Sequence, residues 1–127
     1  MRAGRAAIAA VLIVGGVAAC GGSSSGGGSY VPPTGKVVDS VTVQSGNLYF
    51  KPKAVVTKAG NVRITLKNAE TGSHNLVIEG IPRFELQVNG QGSKDSNVVA
   101  LKAGSYVFYC TLPGHRAAGM QGEITAE

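Results

Sequence analysis

Charge is scarce in this chain. Only 15% of its 127 residues are Asp, Glu, Lys or Arg, and the basic ones stand singly, as at Lys51, Lys58, Arg63, Lys67 and Arg83. With no basic cluster and no aromatic interleaving, nucleic acid is excluded as a partner. Long apolar runs are lacking too. The run from Ala6 to Cys20 is 15 residues with Gly15 and Gly16 inside it, short of the roughly 20 that a membrane-spanning helix needs. No stretch of ten residues carries a helical apolar stripe, so helices do not organise the fold. Cysteine is limited to Cys20 and Cys110, histidine to His74 and His115, and methionine to Met1 and Met120. That count rules out a two-cysteine redox motif. The length allows one domain and a tail, not two cores.

What is present begins with an export signal. Arg2 and Arg5 form a basic start, Ala6 to Val14 an apolar segment, and Val17-Ala18-Ala19 the small residues before a cleavage site. Val17-Ala18-Ala19-Cys20-Gly21 resembles the lipobox of bacterial lipoproteins, in which the cysteine is lipidated and becomes the new N-terminus. The resemblance implies that residues 1–19 are a signal peptide and that Cys20 carries the lipid. Two or more acyl chains anchor a protein stably where one does not. The mature protein is then expected on the extracytoplasmic side of the bacterial cell membrane, held to the lipid bilayer. Removing residues 1–19 takes two of the twelve basic residues and brings the net charge from +5 to +3. Lipidation of Cys20 also leaves Cys110 without a thiol partner, in a compartment where thiols usually pair.

Gly21 to Ser29 reads GGSSSGGGS, a flexible coil by composition. At roughly 5–6 Å × √n its ends average about 15–18 Å apart. Tyr30-Val-Pro-Pro-Thr-Gly35 stiffens the end of this tether, so residues 20–35 read as lipidated cysteine and linker and 36–127 as the domain. From Lys36 the periodicity is two. Val62, Ile64 and Leu66 face one way and Arg63, Thr65 and Lys67 the other, which predicts a half-buried antiparallel strand. His74–Ile78, Phe84–Val88, Asn97–Leu101, Ser105–Cys110 and Gly122–Ala126 are further strands, separated by glycine-bearing breaks. Lys58-Ala-Gly60 and Lys102-Ala-Gly104 are the same turn chemistry used twice, each before a strand. Seven or eight short strands in one domain predict an all-β sandwich.

Three of the chain's softest donors fall within eleven residues, Cys110-Thr-Leu-Pro-Gly-His115-Arg-Ala-Ala-Gly-Met120. A strand ending at Cys110, a Pro113-Gly114 turn and a second turn after His115 bring thiol, imidazole and thioether together. His74, at the start of another strand, supplies a second imidazole. Two imidazoles and a thiolate with a distant methionine sulfur form a blue-copper electron-transfer site. Zinc accepts Cys and His as well, but a thioether in fourth place favours copper.

The run Tyr106-Val-Phe-Tyr-Cys-Thr-Leu-Pro-Gly-His-Arg-Ala-Ala-Gly-Met-Gln-Gly resembles the copper loop of the cupredoxins, the plastocyanin/azurin family. The likeness extends from Val37 to Thr125 and includes Phe50-Lys-Pro52, the Ala59-Gly60 turn and Ser73-His-Asn-Leu-Val77. Four residues separate Cys110 from His115 and four separate His115 from Met120, a spacing similar to auracyanin, rusticyanin and sulfocyanin loops. The resemblance implies a Greek-key sandwich, one type 1 copper ion on His74, Cys110, His115 and Met120, and a monomer that exchanges electrons with redox protein partners. It also implies roles around the metal. Asn75 would lock the two ligand loops together near the Cys110 sulfur. The Leu112 N–H would donate to that sulfur, and the Ser73 carbonyl would make a weak axial contact. Leu112, Pro113, Gly114, Ala117 and Ala118 would form an apolar docking patch around His115, with Arg116 inside it.

Two other functions are weighed. An extracytoplasmic copper carrier or storage protein needs an open or methionine-rich site, and the mature chain has one methionine. A copper enzyme such as a nitrite reductase or multicopper oxidase needs further histidines for a second centre, and both are already used. No catalysis is expected.

Overall fold

The computed structural model describes residues 28–127; the lipobox and Cys20 lie outside them. Among the described residues there are nine strands: β1 (Val37–Gly46), β2 (Tyr49–Lys51), β3 (Ala54–Thr57), β4 (Gly60–Asn68), β5 (Ser73–Ile78), β6 (Glu85–Asn89), β7 (Lys94–Leu101), β8 (Gly104–Tyr109) and β9 (Gln121–Ala126). They form two sheets, ordered β2-β1-β4-β7 and β3-β9-β8-β5-β6. The count exceeds the seven or eight expected because β2 and β3, of three and four residues, flank Pro52 and are too short to show a period of their own. No helix of the described residues is long and apolar enough to cross a membrane.

Period-two patterning sets the core. Val62, Ile64 and Leu66 of β4 are completely buried, while Arg63 and Lys67 on the other face are exposed. They face Leu76, Leu86, Phe108 and Ile124 of the other sheet in one apolar cluster. Phe50, in the element before Pro52, tilts against Phe108 with ring centroids 5.3 Å apart, within the range of favourable aromatic pairs. Pairing departs from the expectation on one side of β4. β4 runs antiparallel to β7 but parallel to β1, with Val41 beside Ile64 and Val43 beside Leu66. The parallel pair arises because the chain crosses to the other sheet through β3 before returning as β4. β3 is itself parallel to β9. β4 and β8 begin at Gly60 and Gly104, the two copies of the repeated turn.

The segment before residue 36 is more than a lead-in. Tyr30 packs edge-on against Phe84, with centroids 5.1 Å apart and planes at 89°. Its hydroxyl donates to the Val98 carbonyl at 2.9 Å. The packed unit therefore reaches back to Tyr30.

Asp39 staples the two sheets at one end. Its carboxylate accepts from the Lys58 amide at 3.1 Å and the Thr57 hydroxyl at 2.9 Å, and from the Ser40 amide at 2.8 Å. These bonds, led by the one from Lys58, hold its carboxyl below the ordinary aspartate range. A folded-state value below the unfolded one adds stability at neutral pH, which is lost as pH falls from about 3.9 through the folded value. Asp39→Asn should therefore lower the urea midpoint at neutral pH, and the two proteins should converge as pH falls below that range. A constant gap between them down to strongly acid pH would show that the carboxylate has no such role.

Candidate metal centre

The centre lies at one end of the sandwich, where β8 stops and β5 begins. β8 pairs with β9 up to Tyr109–Gln121, so the eleven residues between those strands must fold back on themselves. They do so through a ladder of backbone bonds. The Cys110 amide donates to the Met120 carbonyl at 3.1 Å, the Met120 amide to the His115 carbonyl at 3.0 Å, and the His115 amide to the Leu112 carbonyl at 3.1 Å. Gly114 carries φ 77° at the turn, a conformation in which a side chain is strained. The ladder thus sets the spacing of Cys110, His115 and Met120 before any ion is bound. Cys110 and Met120 are fully buried in the core cluster and His115 is half-buried.

His74 comes from β5, the neighbour of β8 in the same sheet. It is 4% exposed, and its ring lies 5.1 Å from that of His115, tilted by 55°. One donor atom from each of His74, Cys110 and His115 falls within 4.8 Å of the others. Cys110 Sγ has His115 Nδ1 as its polar neighbour at 3.5 Å, rather than the Leu112 amide.

The His74 ring nitrogens have different fates. Nε2 is in direct hydrogen-bond contact with Glu70 Oε1. Nδ1 is buried with no protein partner. A buried polar atom left unsatisfied costs about 1–3 kcal/mol, and here it belongs to a ring that also faces a thiol and a second imidazole. A metal ion removes that cost by taking the lone pair. Two imidazoles, one thiolate and a buried thioether suit copper over the harder cations. Nothing in the sequence pattern marks Glu70 as part of the centre. It lies in a turn, where no strand or helix period marks it.

Asn75 joins the two ligand-bearing segments. Its Oδ1 accepts from the Thr111 amide at 2.7 Å, and its Nδ2 donates to Thr111 Oγ1 at 2.5 Å and to Glu85 Oε1 at 2.8 Å. The clamp thus holds the residue after His74 to the residue after Cys110. Ser73 points its Oγ away from the centre, donating to Asn89 Oδ1 at 2.9 Å.

Around His115, Pro113, Gly114, Ala117 and Ala118 are exposed and Leu112 is half-buried. Cys110 and Tyr109 form the inner wall of the open hollow beside them, about 580 Å³ in volume. Arg116 does not leave a free cation in this rim. Its guanidinium lies 3.9 Å over the Tyr109 ring, donates to Glu79 Oε1 at 2.6 Å, and reaches Gln121 Oε1 at 3.1 Å. Glu79 is 37 residues away in sequence, so this neutralisation was not legible in the loop.

Residues 37–127 match the family model of copper binding proteins, plastocyanin/azurin family. Among solved structures the chain is similar to reduced auracyanin from the photosynthetic bacterium Roseiflexus castenholzii. Identity is 26%, TM-score 0.62, with 72% of this chain and 99% of that one covered. Auracyanin A of Chloroflexus aurantiacus, described as a blue copper protein, shares the fold at 24% identity and TM-score 0.57, covering 69% and 99%. Auracyanin B matches at 21% identity and TM-score 0.61, covering 79% and 96%. A search of curated proteins gave no match.

The Asn75 clamp has a measurable weight in the metal-free protein. Asn75→Ala removes three hydrogen bonds from a residue that is 6% exposed, and should cost about 1–3 kcal/mol in urea unfolding. An unchanged midpoint would show that water replaces the clamp at no cost.

Proposed function

The chain belongs to the copper-binding plastocyanin/azurin family, and from that premise we propose that it is a one-electron carrier whose single copper is held by His74, Cys110, His115 and Met120. The observation that carries this reading is the convergence of three buried or half-buried donors within 4.8 Å, one of them from His74, whose buried Nδ1 has no protein partner. Copper, when bound, supplies the change between Cu(I) and Cu(II). The chain's own residues supply the rest. The backbone ladder and the Asn75 clamp hold the donors in one arrangement, so that little has to move when the charge changes. The fully buried Cys110 and Met120 keep water from the sulfur side. In this assignment the Ser73 carbonyl would be a further, weak oxygen donor beside these four residues.

The same features oppose a carrier or storage role. A centre closed by four backbone-fixed residues exchanges its ion slowly, and one thioether is a poor relay. The half-buried His115 edge, ringed by Leu112, Pro113, Gly114, Ala117 and Ala118, is the docking patch for redox protein partners. Because Glu79 pairs with Arg116, this patch selects by apolar fit more than by charge.

Tethering completes the proposal. Lipidated Cys20 and the Gly/Ser linker hold an exported domain to the extracytoplasmic side of the bacterial cell membrane, with the copper end free to meet donor and acceptor.

Copper titration followed by visible spectroscopy and voltammetry tests the reading. The wild type should develop an intense blue band with reversible one-electron redox. Cys110→Ala should abolish the band, whereas Met120→Leu should keep copper and shift the potential. A Cys110→Ala protein that still turns blue would sink the assignment. Replacing Cys20 by Ala in the full chain should release the protein from membranes without altering the spectrum. Continued attachment would refute the lipid anchor.

A further inference from the structure

Glu70 is a charged residue in direct contact with His74, and nothing in the electron-carrier reading yet uses it. It sits in the turn between β4 and β5, four residues before His74, with its side chain 29% exposed against 3% for the imidazole. Its Oε1 meets His74 Nε2, on the side of the ring away from the unpartnered Nδ1.

The turn is built to keep the carboxylate there. Asn68, 3% exposed, spans the loop from inside. Its Nδ2 lies within donor distance of the carbonyls of Glu70 (2.9 Å), Gly72 (2.7 Å) and Gly90 (3.0 Å). Its Oδ1 accepts from Ser45 Oγ at 3.1 Å. Backbone bonds from Ala69 to Ser45 and from Gly90 to Gly72 fix both ends of the loop. Gly72 keeps the approach open. A Cβ there would stand 3.3 Å from Glu70 Oε1 and 3.9 Å from His74 Nε2, inside the space the carboxylate uses.

We propose that Glu70 is the positioning residue of the centre: it holds the proton of His74 on Nε2, leaves the Nδ1 lone pair bare towards Cys110 and His115, and places a negative charge one imidazole away from the metal. This rests on His74 being a copper ligand. An imidazole has one proton for two nitrogens, so an acceptor at Nε2 decides which nitrogen is free to ligate. A carboxylate behind a ligating histidine also raises the ring's donor strength. The charge favours Cu(II) over Cu(I), which lowers the reduction potential. Partial exposure screens the charge but leaves the choice of tautomer intact.

Two measurements separate this role from a structural one. In the metal-free protein, ¹⁵N NMR of the histidine rings at one mildly alkaline pH should show His74 with its proton on Nε2. Glu70→Ala should lose that fixed tautomer, and Glu70→Gln, whose amide oxygen still accepts, should retain it. In the copper-loaded protein, both variants should stay blue with a raised potential. Glu70→Ala should weaken copper binding in a chelator competition by about 10–100-fold, and Glu70→Gln by less. A wild-type proton on Nδ1 would overturn the proposal. So would a potential that is the same in wild type and both variants. If the wild type itself is not blue, the copper assignment has failed instead, while the metal-free tautomer result stands on its own.

Discussion

A buried imidazole nitrogen with no protein partner is the constraint around which this molecule is arranged. His74 is almost wholly enclosed, its Nδ1 has no protein partner, and its ring lies beside a thiol and a second imidazole. Such an atom is costly to hide from water, on the order of 1–3 kcal/mol, and the fold hides it regardless. Each neighbouring feature keeps it in place. The strand pairing of β5 with β6 sets His74 opposite Val88. The clamp from Asn75 to Thr111 sets the distance to the Cys110 segment, and Glu70 occupies the other ring nitrogen. A metal ion relieves what these contacts impose.

The sandwich matters because it makes that arrangement stiff. Cys110 and Met120 belong to the same apolar cluster as Ile64, Leu66 and Phe108, so the donors cannot shift without disturbing close-packed neighbours. Half-buried His115 is the exception, and its exposed edge sits in a ring of small and apolar residues. A stiff interior and one open edge together suit a carrier that must exchange charge without exchanging its ion.

Much of this was legible in the sequence, for reasons that can be named. Alternation over Val62, Ile64 and Leu66 reports burial directly, since neighbouring side chains of a strand face opposite ways. The donors of one loop are close in sequence, so their spacing speaks for itself. The unreadable parts are non-local. The parallel pairing of β1 with β4 depends on a crossover through β3, and β3 is too short to carry a pattern. Tyr30 looked like the end of a linker and proved to be packed on Phe84. Glu79 neutralises Arg116 from 37 residues away. Glu70 is near His74 in sequence, yet an acid three residues ahead of a strand has no reason to meet it until the turn held by Asn68 brings them together.

The claim at the heart of this account is that the fold holds its donors in one arrangement whichever charge the copper carries. Copper-edge X-ray absorption on the oxidised and reduced protein measures that directly. The account predicts one sulfur and two imidazole nitrogens around copper in both states, at nearly the same distances. A coordination shell without sulfur, or one that loses or gains a ligand between the two states, would contradict it.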